Sequence, residues 1–301
     1  FPKIFETGRH YDAFCVFDAD NLVHLDFLAV MNTRLMKGQK VLQGYLSAKN
    51  PVDTWVSGTF AIAFWTVNHL WHLGKYNLGL SSCLGGTGMC ISADIVREFG
   101  WGCDCLTEDM EFSMKCLSHG IRTCWVHDAI IYDEKPLTFM ASWRQRKRWA
   151  QGQFDCSERY IPILMKEGFK RHSIVVLDGI MQLLQNYFLL ISAFYLVMTY
   201  INMFYPCFTV VLYNDALVPR QFWSVLGTIQ YVLPLIVLLQ IEVPAKIYLY
   251  WLIYPVFMYS WVPVTFLGWI HRHEKQWVHT IHTRSMQFQA ASLTRKKEID
   301  S

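Results

Sequence analysis

Three long stretches without a charged residue constrain this chain more than any other feature. They cover residues 179–214, 221–241 and 247–270 of the 301 residues. Each is long enough to cross the hydrocarbon core of a bilayer, which takes about 20 apolar residues. The sequence therefore predicts an integral membrane protein whose spans lie in its second half.

The composition narrows the remaining classes of function. The formal net charge is only +3, so the strongly basic surface of a nucleic-acid-binding protein is not indicated. The nine cysteines are scattered and form no C-x-x-C pair. We expect them to be reduced and structural, in a cytosolic setting.

The first half has the pattern of a soluble α/β domain. An apolar run at 13–17 predicts a buried strand of a parallel sheet, and residues 107–120 predict a helix that begins at Thr107 and ends at Gly120. Strands that alternate with helices predict an α/β sheet, in which ligands gather at the carboxyl ends of the strands.

Asp18 and Asp20 follow the first of these strands directly. They can be turn residues, since Asp is favoured in turns. A calcium-binding EF-hand loop and a haloacid-dehalogenase phosphatase are both excluded by Leu22, and the EF-hand also by Val23. The remaining hypothesis is a nucleotide-sugar site, in which Asp20 would bind Mg²⁺ or Mn²⁺ through oxygen.

Two further motifs allow a structural and a chemical interpretation. Glu108 and Asp109 follow Thr107, so they can be first-turn acids of a capped helix or supply a general base. The sequence Q-x-x-R-W at Gln145, Arg148 and Trp149 fits a helix on the membrane surface. Its arginine also suits a diphosphate, and its tryptophan suits the face of a sugar.

The order of these motifs before membrane spans resembles the processive family 2 glycosyltransferases, the membrane synthases of cellulose, chitin, hyaluronan and poly-N-acetylglucosamine. The resemblance covers residues 11 to about 285 and includes "WVHTIHTRS" at 277–285, which is similar to the gating segment of these enzymes. It implies an α/β GT-A (Rossmann-like) domain, incomplete at its N-terminus, followed by amphipathic interface helices and transmembrane helices.

The same resemblance implies roles for individual residues. Asp109 would be the catalytic base with Glu108 beside it, and Asp20 would hold Mg²⁺ or Mn²⁺. The residues expected to bind substrate are Asp18, Gly86, Thr87, Gly88, Gln145, Arg148, Trp149, Trp277, Thr280 and Arg284.

The expected organisation has four parts. Residues 1–140 form the GT-A domain, 141–173 the interface helices, 174–270 the membrane helices, and 271–301 a tail with the gating-like segment. Lysine and arginine before the first span place the catalytic domain in the cytoplasm. We expect a multi-pass protein of the plasma membrane, with 247–270 partly along the cytosolic surface or re-entrant.

The sequence thus predicts an inverting enzyme that moves a sugar from UDP-N-acetylglucosamine or UDP-glucose to a growing β-linked polysaccharide.

Polar residues Gln182, Gln185 and Asn186 lie on one face of the first span. They fit either contacts between helices or a channel for export. The alternatives are a transferase that adds one sugar to a lipid carrier, and a membrane scaffold without catalysis. The expected partners are the donor, a polysaccharide or glycolipid acceptor and the bilayer; no nucleic acid is expected, and partner subunits are not predicted.

Overall fold

A computed structural model describes residues 2–204 and 220–274 of the chain. Its five strands are β1 (Ala13–Val16), β2 (Leu22–Val23), β3 (Val41–Ala48), β4 (Met89–Ser92) and β5 (Thr123–Asp133). They form one sheet in the order β1-β4-β3-β5-β2. Only β3 and β5 pair in parallel, and the other three pairs are antiparallel.

Helices cover both faces of the sheet, which agrees with the predicted α/β class. The short helix α1 (Pro2–Phe5) comes first, followed by α2 (Phe27–Met36) and α3 (Trp55–Thr66). Leu42 and Leu46 of β3 pack in a cluster with α2, whereas Tyr45 packs in a second cluster with α3. Because successive side chains of a strand point to opposite faces, β3 is buried on both sides along its whole length.

The prediction of a buried parallel strand at 13–17 is wrong in its pairing. β1 lies at one edge of the described sheet and runs antiparallel to β4, with Cys15 exposed. A short apolar run indicates that a strand is buried, but it does not indicate whether the strand pairs in parallel or antiparallel. Here the pairing depends on β4, which lies far along the chain.

The middle of the chain carries the elements that frame the cleft. A π-helical turn (Val67–His72) joins α3 to α4 (Leu73–Asn77), and α5 (Ala93–Phe99) and α6 (Glu108–Ser118) follow. The long helix α7 (Phe139–Lys170) contains the Q-x-x-R-W motif and packs against α6, α8 (Ile174–Phe204) and α11 (Trp261–Ile270).

The interpretation of α7 as a surface helix expects its basic residues to face outward, but not all of them do. Arg146 is fully buried. Its guanidinium donates to the hydroxyl of Ser260 at 2.8 Å and lies over the ring of Phe257. Arg146 therefore ties α7 to the junction between α10 (Lys246–Tyr259) and α11.

Two segments of the described residues are long and apolar enough to cross a membrane, Ile174–Met198 and Lys246–Ile270. They suggest membrane association. Within the same described part of the chain, α9 (Arg220–Gln240) contains a shorter apolar part, Val225–Gln240. Arg220, Gln221 and Ser224 precede this apolar part and limit its length. The number of membrane crossings therefore stays a prediction.

The polar residues of α8 partly face the rest of the protein. Gln182 is buried, and its side-chain oxygen accepts a hydrogen bond from Lys75 at 3.2 Å. Asn186 is buried as well, whereas Gln185 is exposed. Contacts between helices therefore account for Gln182.

Candidate active site

A cleft of about 470 Å³ opens where the carboxyl ends of β1, β3 and β5 meet the start of α6 and the first third of α7. The structure brings nine of the predicted site residues together in its lining: Asp18, Asp20, Gly86, Thr87, Glu108, Asp109, Gln145, Arg148 and Trp149. Three separate motifs of the sequence thus share one cavity.

The other predicted residues do not line this cleft or lie outside the described part of the chain. Gly88 packs against Ile131, and a Cβ atom there would lie 2.5 Å from the Ile131 side chain. Gly88 therefore permits a close approach of the loop to β5. Trp277, Thr280 and Arg284 lie outside the described residues.

The acidic loop that follows β1 (residues 17–21) is held by the glycine-rich loop before β4 (residues 84–88). The backbone N–H of Asp18 donates to the hydroxyl of Thr87 at 3.1 Å, and that hydroxyl also bonds to the side-chain oxygen of Asn21. The amide of Asn21 lies 3.3 Å from Asp20 Oδ1. The hydroxyl of Thr87 therefore positions both aspartates.

Gln43 of β3 holds the glycine-rich loop in turn. This buried side chain accepts a hydrogen bond from the N–H of Gly85 at 2.8 Å and donates one to the carbonyl of Thr87 at 3.0 Å. Gly86 has φ +80°, a conformation that favours glycine. Sequence reasoning missed Gln43, because nothing near it in the chain marks its partners.

Charged residues that sequence reasoning also missed lie behind Asp20. Asp133 ends β5, Glu134 follows it, and both line the cleft. Lys49 follows β3, and its ammonium lies 3.2 Å from a carboxylate oxygen of Glu134. The available signal was their position directly after strands, where an α/β sheet places its ligands.

Asp109 lies at the start of α6, next to the glycine-rich loop. Its Oδ1 accepts a hydrogen bond from the N–H of Met110 at 2.7 Å, and a Cβ at Gly86 would lie 3.4 Å from its Oδ2. Ser113 links the two elements, since its hydroxyl donates to the carbonyl of Asp109 and accepts from the N–H of Leu84.

The pKa of Asp109 is raised to about 7, chiefly because burial disfavours the charged carboxylate, and the negative charge of Glu108 adds to this rise. The N–H of Met110 and the guanidinium of Arg148 oppose it. A carboxylate that titrates near neutral pH is well suited to accept a proton during a reaction.

Thr107 precedes α6, as predicted, but its hydroxyl makes no capping hydrogen bond. The side chain packs instead against α7, where a Cβ at Gly152 would lie 2.6 Å from Thr107 Cγ2 and Oγ1. Glycine at this position therefore lets the helix that carries Arg148 approach the helix that carries Asp109.

Arg148 and Trp149 form the wall of the cleft that α7 supplies. Burial lowers the pKa of Arg148, while the charges of Glu108, Asp109 and Asp18 act in the opposite direction. The ring of Trp149 lies 6.0 Å from that of Phe60 and 6.2 Å from that of Phe64. The cleft thus presents a cation and an aromatic side chain opposite its carboxylates.

The donor set of the acidic loop fits a hard divalent cation. Asp18, Asp20, Asp133 and Glu134 offer carboxylate oxygens, which Mg²⁺ and Mn²⁺ prefer. Among the described residues, no group of three or more His, Cys, Asp or Glu side chains is placed so that it could hold a metal ion by itself. Mg²⁺ is commonly bound by one or two carboxylates together with substrate phosphates and water, so a cation here would take part of its shell from a diphosphate.

Comparison with known proteins identifies the class of the chain. The family model described as "Glycosyl transferase family group 2" matches residues 13–269, and this family implies a GT-A fold, in agreement with the mixed sheet and its helices. The chain is also similar to "Probable glycosyltransferase YdaM" of Bacillus subtilis (strain 168), with 26% identity over 144 residues, which is 47% of this chain and 34% of that protein. The match thus spans about a third of the length of this curated relative. The match to the family model covers most of the chain, which therefore belongs to glycosyl transferase family group 2, a family of enzymes that transfer sugars.

Proposed function

We propose that this protein is an inverting, membrane-bound glycosyltransferase that moves a sugar from a UDP-sugar to a growing β-linked polysaccharide. One observation carries the proposal. The acidic loop, Asp109 and Arg148 line a single cleft of about 470 Å³, so a cation site, a base and a diphosphate partner are available to one substrate.

In this proposal, Asp109 accepts the proton of the acceptor hydroxyl. The hydroxyl oxygen then forms a bond to C1 of the donor sugar, on the face opposite the diphosphate. The bond between C1 and the diphosphate oxygen breaks, and the electron pair leaves with UDP. The configuration at C1 changes from α to β.

Two groups would stabilise the leaving diphosphate. Arg148 would pair with its oxygens, since a guanidinium donates hydrogen bonds to phosphate in a bidentate manner. Asp20 would hold Mg²⁺ or Mn²⁺, which when bound supplies positive charge for the leaving group. Trp149 offers a face on which the acceptor sugar would stack, while Gln145 would contact the acceptor or the diphosphate.

The proposal places the protein in the plasma membrane as a multi-pass protein with its cleft in the cytoplasm. The packing of α10 and α11 supports a partly interfacial position for residues 247–270. Tyr250 packs on Gly58 of α3, and the side chain of Gln151 in α7 donates to the carbonyl of His271 at 2.9 Å. This segment thus contacts helices of the catalytic domain.

The test is release of UDP from membranes that contain the full-length protein, supplied with Mg²⁺ or Mn²⁺ and a panel of UDP-sugars. Each sugar is run beside Asp109→Asn. We expect release from one donor, lost in the variant, together with a product of high mass. A short lipid-linked product would point to the transferase that adds one sugar, and absence of release from every donor would contradict the proposal.

A further inference from the structure

Lys49 is a buried cation behind the acidic loop. Its side chain is 3% exposed and does not appear in the lining of the cleft. The ammonium donates to the backbone carbonyl of Asp20 at 2.9 Å and lies 3.7 Å from Asp20 Oδ2. On its other side, it lies 3.2 Å from Glu134.

These contacts hold the side chain of Lys49 in place. A buried ammonium is costly unless carboxylates and hydrogen bonds compensate it, and here Asp20 and Glu134 do so. Because Lys49 does not line the cleft, it would act on a substrate through Asp20 and through its electric field.

The field of Lys49 acts with opposite sign on the two ligands proposed for this cleft. A divalent cation held by Asp20 would lie a few ångströms from the ammonium, and like charges at this range repel. A diphosphate in the same place would be attracted. Since the side chain is buried, solvent and salt screen this field less than they screen a surface charge.

We propose that Lys49 is a positioning residue that prevents the cleft from binding the bare cation tightly and favours entry of the cation together with the nucleotide. This inference rests on the proposed function, in which Asp20 holds the cation. The hydrogen bond to the Asp20 carbonyl keeps the acidic loop in place, while the charge of Lys49 sets which ligand the empty cleft prefers.

The test measures two affinities of the purified full-length protein in nanodiscs. Binding of Mn²⁺ alone is followed by electron paramagnetic resonance, and binding of UDP alone is measured in EDTA by calorimetry. In Lys49→Met we expect Mn²⁺ to bind about tenfold more tightly and UDP about threefold more weakly, because a nearby positive charge has been removed. A merely structural defect would weaken both.

Two controls separate charge from folding. Lys49→Arg keeps the charge, so both affinities should stay within about twofold of the wild type. Lys75→Met removes another buried lysine, which pairs with Asp178 at 2.7 Å and does not line the cleft. It should lower the melting temperature and leave both affinities unchanged.

Lys49→Met leaves Glu134 buried beside an apolar side chain and can fail to fold. In that event the single variant Glu134→Gln serves as the reference for a double variant that carries both Glu134→Gln and Lys49→Met. Relative to this reference, the double variant should bind Mn²⁺ more tightly and UDP more weakly. Mn²⁺ affinity that is unchanged or weaker after loss of Lys49, in a folded protein, would overturn the proposal.

Asp20→Asn separates the proposed role of Lys49 from the proposed cation site at Asp20. If Asp20→Asn abolishes Mn²⁺ binding but loss of Lys49 does not tighten it, the role of Lys49 alone is wrong. If Mn²⁺ binds equally well to Asp20→Asn, the proposed cation site itself is wrong, and the role of Lys49 is wrong with it.

Discussion

Two walls of the same cleft carry carboxylates in different surroundings. The acidic wall consists of Asp18, Asp20, Asp133 and Glu134, and an ammonium lies 3.7 Å from Asp20. The base wall consists of Glu108 and Asp109 at the start of α6, where burial raises the pKa of Asp109 to about 7. One residue type is thus suited to two tasks, since Asp109 can take a proton near neutral pH, whereas Asp20, beside the ammonium of Lys49, is proposed to hold a cation.

The glycine-rich loop connects these two walls. Thr87 of this loop bonds to the acidic loop, and Leu84 at its start bonds to Ser113 of α6. A change in one wall can therefore reach the other through a few hydrogen bonds. Variants of each wall measure how far the two walls are independent.

The largest effect is expected from Asp109→Asn. An amide cannot take the proton of the acceptor, and loss of a general base lowers the rate by roughly 10²–10⁴-fold. UDP binding should change by less than about twofold, because the acidic wall and Arg148 remain. Turnover is measured by UDP release and binding by calorimetry with Mn²⁺ present.

Asp20→Asn is the matched change in the acidic wall. It should weaken Mn²⁺ binding, and high Mn²⁺ should restore part of the lost turnover, whereas no concentration of Mn²⁺ should restore Asp109→Asn. If the two variants lose UDP binding to the same degree, the two walls do not have separate tasks.

The sequence predicts the parts of this site that lie at the ends of secondary-structure elements. Asp18 and Asp20 follow a strand, Asp109 starts a helix, and Arg148 lies on an amphipathic helix. These positions leave local signals in the chain, and the structure brings the three motifs into one cleft. The chemical roles of these residues stay predictions.

The contacts that hold the motifs in place could not be predicted. Gln43 bonds to Gly85, 42 positions further along the chain, and Lys49 bonds to Asp20, 29 positions before it. Each is a single polar residue in or after a strand, and its partner depends on the order of strands in the sheet. The pairing of β1 was missed for the same reason, because the sequence does not specify the neighbour of an edge strand.

Gly152→Ala should separate the base wall from Arg148 and leave the acidic wall intact. The new Cβ would lie 2.6 Å from the Thr107 side chain and 2.7 Å from its backbone N, so α6 and α7 must move apart. Overpacking of this kind costs about 1–3 kcal/mol of unfolding free energy. We expect turnover to fall by about tenfold or more, because small displacements of reacting groups are costly, with Mn²⁺ binding retained.

Gly74→Ala is the matched control for this change. Gly74 lies in α4, and a Cβ there meets nothing within 4 Å. Alanine in an open helical position should be neutral or stabilise the fold by up to about 1 kcal/mol. Thermal melting and UDP release of both variants test the prediction, and equal turnover of Gly152→Ala and the wild type would contradict it.

The smallest effect concerns the dependence of the base wall on pH. Because only the ionised form of Asp109 accepts a proton, kcat/KM should rise with pH through about 7. Glu108→Gln removes a negative charge that raises the pKa of Asp109, so the rise should move to lower pH. A profile that Glu108→Gln leaves in place would show that this charge does not act on the base.

The ionisation of Asp109 should also affect the stability of the protein, but stability should fall with rising pH where kcat/KM rises. Between the ordinary pKa of 3.8 and about 7, the folded protein holds a proton on Asp109 that the unfolded chain has lost, so the contribution of this group to stability falls as pH rises. Asp109→Asn removes this dependence. Its melting temperature relative to the wild type should therefore increase from pH 5 to pH 8, by about 2 °C or more. A melting temperature of Asp109→Asn that keeps a constant difference from the wild type between pH 5 and pH 8 would contradict the assignment of this pH dependence to Asp109.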